Sequence, residues 1–192
     1  MDGLEELKTG GRIAWGELAP CEHVLQIYND DSTFLDAIEG FAVEGLEAGE
    51  SVVVLATASH REGIVRRLAD AGVDVDRAIA EDRLLALSAQ ETLDRFMLRG
   101  SPDETLFEMV IGEVLERARG GSDRKVRAFG EMVALLWARG NQPAAVRLEY
   151  LWNRMLKRER FPLFCAYPRF GFTEELVLSV DAVCKAHTRI LD

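Results

Sequence analysis

The turn that follows the first apolar strand holds the side chains whose chemistry is easiest to judge, Tyr28-Asn29-Asp30-Asp31-Ser32. A strand-to-helix turn binds phosphate when glycines let backbone N–H groups surround the anion and a lysine neutralises its charge. This turn has no glycine and no lysine. Its two carboxylates satisfy the positive end of the following helix and repel an anion. The pattern therefore predicts a nucleotide-binding type of sheet in which this turn no longer binds phosphate.

Polar and aromatic side chains also follow the other predicted strands. In open α/β sheets, ligands bind beyond the carboxyl ends of the strands. Lysine and arginine are missing from these positions, which favours a neutral or polarisable small molecule over a phosphate. The residues expected to bind such a ligand are Tyr28, Asn29, Asp30, Thr57, His60, Glu131, Met132 and Tyr167.

Alternating strands and helices must position these side chains. Apolar runs predict strands over 23–28, 51–57, 83–87, 125–129 and 161–167. Serine followed three residues later by glutamate predicts helix starts at Ser59, Ser88 and Ser101, and a C-terminal helix begins near Thr173. Strand-helix units of this length imply parallel strands with right-handed crossovers. We expect a three-layer α/β fold with a mainly parallel sheet of five or slightly more strands and helices on both faces, forming one domain over 20–192 after a polar lead-in, 1–19.

Composition excludes several classes of protein. The 192 residues carry a net charge of −10, which argues against a nucleic-acid binder because phosphate contacts need a basic surface. No apolar run reaches the roughly 20 residues that span a bilayer, and the acidic N-terminus has no signal-peptide core. We expect a cytoplasmic protein that contacts no membrane, with its three cysteines reduced.

Cys21 and His23 share one side of a strand and, with Cys165, have the residue types of a zinc or haem site. No fourth ligand is evident, so we expect no metal and no cofactor. His23 begins a strand, at the end opposite the expected ligand site. We therefore favour a hydrogen bond from His23 to nearby backbone over a ligand contact.

Several further residues have structural and ligand-binding interpretations. Glu131 lies four residues after Arg127 on one strand face, so it forms either an ion pair with Arg127 or an anchor for a ligand. His60 follows a helix start that disfavours the imidazolium, and both ligand contact and simple exposure remain open for it. We expect Glu149 and Asn153, one helical turn apart, to tie their helix to the sheet, and Trp137 and Trp152 to lie in the core.

From Cys21 to Tyr167 the chain resembles the MEDS domain, the methanogen/methylotroph sensory domain family. The matching phrases are Glu22-His23, Tyr28, 41–50 (FAVEGLEAGE), Arg127-Ala128-Phe129-Gly130-Glu131-Met132, Gly140-Asn141, Leu148-Glu149-Tyr150-Leu151-Trp152-Asn153 and Cys165-Ala166-Tyr167-Pro168. The resemblance implies a degenerate RecA/KaiC-like P-loop fold that lacks the P-loop. It also implies sensing of small molecules, including hydrocarbon derivatives, alongside histidine kinases or regulators. Ala58-Ser59 and Gly130-Glu131 stand where active ATPases of that class have a catalytic acid and a magnesium-binding aspartate.

These observations together predict a non-catalytic sensory domain that binds a small organic molecule at the carboxyl ends of the strands. No kinase, DNA-binding or phosphoacceptor module is apparent, so the expected output is a separate signalling protein, a histidine kinase or a regulator, or self-association. The alternatives are a ligand-free interaction or oligomerisation scaffold derived from an inactive ATPase, and an atypical nucleotide binder that uses Glu131 with magnesium.

Overall fold

The computed structural model describes residues 15–169 and 177–191. The first fourteen residues of the lead-in and the predicted helix start near Thr173 lie outside this part. The elements in chain order are a 3-10 helix (Trp15–Glu17), β1 (His23–Tyr28), α1 (Asp31–Glu47), β2 (Ser51–Ala56), α2 (Ala58–Asp70), α3 (Val75–Ala80), β3 (Leu84–Ser88), α4 (Ala89–Asp94), β4 (Met97–Leu98), β5 (Ser101–Pro102), α5 (Glu104–Arg119), β6 (Val126–Gly130), α6 (Met132–Ala138), α7 (Gln142–Glu159), β7 (Leu163–Pro168), α8 (Val177–Ala186) and β8 (Arg189–Leu191).

Six of these strands form one parallel sheet in the order β3-β2-β6-β7-β1-β8. Helices α1, α2 and α3 pack on one side, called the α1 face, and α4 to α8 pack on the other, called the α7 face. The predicted three-layer α/β class is confirmed. The sixth strand, β8, is only three residues long and half-buried, so it lacks the apolar run that predicted the others.

Two of the three predicted helix starts are wrong. Thr57, not Ser59, precedes α2, and Ser101 lies in β5, which pairs with β4 in a small antiparallel ribbon. Asp103 caps α5 instead, since its carboxylate accepts a hydrogen bond from the Leu106 N–H at 2.9 Å. Ser88 does cap α4, with its hydroxyl accepting from the Glu91 N–H. An aspartate two residues beyond the predicted serine is an equally good cap.

Both faces of the central strands are buried, as a β-branched run predicts for parallel strands covered by helices. Val52 and Val54 point to the α1 face, while Val53 and Leu55 point to the α7 face. Trp137 and Trp152 lie in the core of the α7 face, at 3% and 1% exposure. Within the described residues, no helix is both long enough and apolar enough to cross a bilayer.

Arg127 forms an ion pair with Glu50, not with Glu131. Its guanidinium Nε donates to Glu50 Oε2 at 2.6 Å, and Nη1 donates to the carbonyls of Phe41 at 2.9 Å and Trp15 at 3.3 Å. Residues four apart on a strand are separated by about 13 Å, and the Arg127 side chain contacts groups near the amino end of β6. Of the two alternatives for Glu131, the ion pair with Arg127 is therefore wrong, and Arg127 instead ties α1 and the 3-10 helix to the sheet.

Candidate functional site

Glu131 connects the carboxyl ends of two neighbouring strands, β2 and β6. It comes directly after β6, and its N–H donates to the Leu55 carbonyl of β2 at 2.8 Å. Its carboxylate accepts from the Thr57 N–H through Oε2 and contacts His60 Nδ1 through Oε1, both at 2.8 Å. The Glu131 side chain is only 8% exposed. A buried carboxylate is costly unless it is hydrogen-bonded, and here both oxygens have partners.

His60 lies between two carboxylates at the start of α2. Its Nδ1 contacts Glu131, while Nε2 is 3.8 Å from Asp31 Oδ1 on α1. The hydrogen bond to Glu131 raises the pKa of His60, with burial opposing and the charges of Glu131 and Asp31 adding to the rise. The helix N-terminus was expected to keep this imidazole neutral. The two acids act against the helix dipole and shift the pKa of His60 towards the imidazolium form.

Aromatic rings form the apolar side of the same site. The Tyr28 ring stacks on Phe34 with centroids 5.0 Å apart, and Phe34 in turn contacts the His60 ring at 4.7 Å. Burial raises the pKa of the Tyr28 phenol, and the charges of Glu131 and Asp31 act in the same direction. Tyr28 therefore keeps its hydroxyl proton and presents a hydrogen-bond donor beside an acidic site.

The other predicted ligand residues do not join this group. Asn29 and Asp30 are exposed at the turn, where Asp30 caps α1 by accepting from the N–H and hydroxyl of Thr33. Met132 is fully buried in the core of the α7 face. Tyr167 is also fully buried there, and its hydroxyl donates to Glu149 at 2.7 Å. Tyr28 and Tyr167 end different strands and point to opposite faces of the sheet.

Asp31 and Phe34 belong to the site but were not among the predicted ligand residues. Only residues at the ends of strands and in the turns directly after them were predicted to bind the ligand. Both residues lie in the first turn of α1, where a side chain points back over the strand end. The signal available in the sequence was that Phe34 follows Tyr28 across one short turn, in the first turn of the next helix, where the two rings can meet.

An open cleft of about 280 Å³ lies at the other end of β2 and β3, lined by Leu46, Glu47, Ala71, Gly72, Val73, Asp74, Arg77, Ala78 and Arg83. Its charged side chains have both signs, and Arg83 already donates to the Leu46 carbonyl. None of the predicted ligand residues lines it. The group around Glu131 is therefore the better candidate for a specific site.

Of Cys21, His23 and Cys165, the residues considered for a metal site, only His23 and Cys165 meet in the structure. His23 Nδ1 lies 3.2 Å from the Ala186 carbonyl and 3.3 Å from Asn153 Oδ1, which agrees with the expected backbone contact. Its Nε2 lies 3.3 Å from Cys165 Sγ. Cys21 is not part of this group, but Glu149 and His187 are. His187 was missed because no apolar run predicts β8, the short strand that brings it beside β1.

The ring of His60 allows a direct test of the site's electrostatics. Its pKa is raised in the folded protein, so its contribution to stability is present below the unfolded pKa of about 6.5 and is lost as pH rises through the folded value. We expect the difference in free energy of unfolding between wild type and His60→Gln to shrink as the pH rises above about 6.5 and through the folded pKa. An NMR titration checks this directly, since burial lowers the pKa of His23 to about 4 and leaves it neutral in that range. A His60 ring that titrates below the ordinary value contradicts the site geometry.

Comparisons with known proteins identify relatives of the chain. The family model for MEDS, the methanogen/methylotroph DcmR sensory domain, matches residues 22–188. A solved protein from Pyrococcus horikoshii OT3 superposes with a TM-score of 0.58 at 13% sequence identity, over 90% of this chain and 82% of that one. At this identity the likeness shows the fold alone. No curated protein matches the sequence.

Proposed function

Since the chain belongs to the MEDS family of sensory domains, we propose that it binds a small organic molecule at the site formed by Tyr28, Asp31, Phe34, Thr57, His60 and Glu131. The observation that carries this proposal is the Glu131 carboxylate, which is nearly buried and held by the Thr57 N–H and His60 at the carboxyl ends of two central strands. Sheets of this type bind ligands at that edge.

The chemistry of the site selects a class of ligand. Two carboxylates face a single histidine, and neither lysine nor arginine is among the residues that form the site. An anion is therefore disfavoured by charge. The Tyr28 and Phe34 rings offer an apolar contact, while the Tyr28 hydroxyl and the acids offer hydrogen bonds. We infer a neutral or polarisable molecule with a short apolar part and one polar group.

A binding role is favoured over catalysis. A nucleophilic serine needs a base within hydrogen-bond reach. Ser59 Oγ contacts Thr57 Oγ1 at 3.4 Å, while its neighbour His60 directs Nδ1 to Glu131. The histidine is thus engaged with an acid and not with the serine. The proposed descent from a RecA/KaiC-like ATPase without its P-loop fits the acidic turn at Asp30 and Asp31.

Signalling is proposed to run through α1 and α2, which pack against each other. The site lies where both helices begin, since Asp31 and Phe34 are on α1 and His60 is on α2. A ligand that separates His60 from Glu131 or Asp31 changes how these helix starts approach each other. A separate partner, such as a histidine kinase or regulator, then reads the helix positions, provided that ligand affinity differs between the two arrangements.

A panel of small alcohols, amines, ketones and halogenated or methylated hydrocarbons tests the proposal by ligand-observed NMR. Wild type is expected to bind at least one class, and Tyr28→Ala to weaken that binding by about tenfold or more, because the ring forms the apolar side of the site. Tyr150→Ala is the matched control, since Tyr150 is 59% exposed on α7. Equal weakening by both variants, or no binding to wild type, contradicts the proposal. The second outcome favours a ligand-free scaffold, in which His60 and Glu131 satisfy each other.

A further inference from the structure

Four metal-ligating side chains from separate elements meet inside the α7 face. They are called the buried cluster: His23, Glu149, Cys165 and His187. His23 begins β1, Cys165 lies beside it in β7, Glu149 comes from α7, and His187 precedes β8. One ligand atom from each lies within 4.8 Å of the other three. All four side chains are at most 1% exposed.

Four of the six separations within the buried cluster lie close to those of a tetrahedral metal site. His23 Nε2 lies 3.3 Å from Cys165 Sγ and 3.5 Å from Glu149 Oε2. Glu149 Oε2 lies 3.6 Å from His187 Nε2 and 4.0 Å from Cys165 Sγ. Tetrahedral zinc with ordinary bond lengths to nitrogen, oxygen and sulfur holds its donor atoms about 3.3 to 3.7 Å apart. The remaining two separations, from His187 to His23 and to Cys165, are at most 4.8 Å, so the donor atoms would move by up to about an ångström to complete the fit.

Both imidazoles present the same nitrogen to the cluster. His23 Nδ1 lies 3.2 Å from the Ala186 carbonyl, and His187 Nδ1 lies 2.7 Å from the Val183 carbonyl. A carbonyl only accepts hydrogen bonds, so each Nδ1 carries the proton and each Nε2 presents a lone pair. Among the described residues, nothing donates to His187 Nε2, and Glu149 at 3.6 Å is beyond hydrogen-bond distance. A bound cation would satisfy this buried acceptor.

Outer contacts hold the ligands in place, as they do around metal-binding histidines in general. The Tyr167 hydroxyl donates to Glu149 Oε1 at 2.7 Å, which leaves Oε2 directed into the cluster. Asn153 Nδ2 donates to the Ala186 carbonyl at 2.8 Å, the same carbonyl that accepts from His23. Glu149 and Asn153 thus do tie α7 to the sheet, and they do so through the cluster.

Charge balance also suits a divalent ion. Two of the four ligands, Glu149 and Cys165, are acids, and the other two are imidazoles. A dication would be bound by the carboxylate and the thiolate, and their two negative charges would cancel the charge of the ion.

We propose that the buried cluster binds one zinc ion per chain as a closed structural site. Two imidazoles, a thiolate and a carboxylate suit zinc, whereas magnesium and calcium prefer all-oxygen ligands. All four positions are filled by the protein, as in structural and not catalytic zinc sites. The ion would join β1, β7, α7 and the segment before β8. The site lies on the face opposite Glu131. The proposal of zinc binding therefore does not depend on the proposed ligand binding, and the two can be tested separately.

Cobalt(II) is the spectroscopic probe for this proposal. Chelator-treated full-length chain is titrated with cobalt, and we expect one equivalent to bind with the visible bands of a tetrahedral ion and a thiolate-to-cobalt charge-transfer band. Zinc should displace the cobalt. At a hundred-fold excess over its Kd, zinc should also raise the melting temperature by about 5 to 10 °C. Absence of the charge-transfer band from wild type overturns the proposal even if every variant fails to fold.

Matched cysteine variants locate the site. We expect Cys165→Ser to abolish the charge-transfer band and, like His187→Gln, to weaken zinc affinity by about 100-fold or more. Cys184→Ser is the control, because Cys184 is also buried in the α7 face but is not part of the cluster. It should keep both the band and the affinity. Zinc affinity that is unchanged in Cys165→Ser and His187→Gln also overturns the proposal.

Discussion

Replacing Arg127 with alanine is expected to lower the free energy of unfolding by about 3 to 5 kcal/mol, the range measured when one partner of a buried ion pair is removed. Arg127 is 2% exposed, and its guanidinium serves the Glu50 carboxylate and the carbonyls of Phe41 and Trp15. Its loss leaves a carboxylate without its partner and two carbonyls without donors. For a chain of this size, the melting temperature should fall by about 10 °C.

Arg95→Ala is the matched control for this prediction. Arg95 also forms an ion pair, with Glu113 at 2.6 Å, but both side chains are more than half exposed. Exposed pairs contribute about 0 to 1 kcal/mol, so the control should lose little stability. Chemical denaturation of both variants gives the comparison. Losses of similar size would mean that the Arg127 contacts do not anchor α1 to the sheet.

A pair of glycine variants tests the same anchor without removing it. An added Cβ at Gly45 would lie 2.5 Å from Arg127 Nε, so Gly45→Ala should displace the guanidinium and destabilise the fold. Gly112 is also inside a helix, but an added Cβ there meets nothing within 4 Å. Gly112→Ala should therefore be stabilising by about 0.5 to 1 kcal/mol. Opposite signs from the same substitution are the expected result.

Glu131→Ala is expected to cost about 3 kcal/mol and to abolish ligand binding. The carboxylate accepts from the Thr57 N–H and His60, and its removal leaves both partly buried donors without an acceptor. Glu131→Gln should cost only about 1 kcal/mol, because the amide still offers an oxygen to Thr57 and a donor to neutral His60. It removes the charge, however, so the pKa of His60 should fall. Denaturation and the His60 NMR titration measure the two effects separately.

Glu113→Ala provides the control for the glutamate variants, since the Glu113 side chain is 58% exposed. It should leave His60 and ligand binding unchanged and cost less than about 1 kcal/mol. The account of the site is wrong if Glu131→Gln leaves the His60 titration as it is in wild type.

Much of the site could be predicted because parallel sheets bring the carboxyl ends of their strands to one edge. This rule alone placed Tyr28, Thr57, His60 and Glu131 near one another. The rule does not say to which face a strand-end side chain points, and Tyr167 therefore lies on the other side of the sheet from Tyr28. The alternation of side chains along a strand fixes the face only when the exact end of the strand is known.

The pairing of charges was less predictable than the sheet. Arg127 lies in β6 and Glu131 directly after it, but each contacts a partner from another element, Glu50 before β2 and His60 on α2. The buried cluster shows the same limitation. His23 and Cys165 were recognised as ligand types, but Glu149 and His187 reach them only through the packing of α7 and the short pairing of β8 with β1. Spacing along a sequence carries no information about such contacts.

Native mass spectrometry of the protein as purified, compared with its denatured mass, tests the central claim that the site around Glu131 binds a small organic molecule. The account predicts a discrete non-covalent mass excess, beyond any bound metal ion, that disappears on denaturation and is weakened in Glu131→Gln but not in Glu113→Ala. If the purified protein carries no ligand, the account predicts such an excess on addition of one class from the small-molecule panel. A bare protein mass under all of these conditions would contradict it.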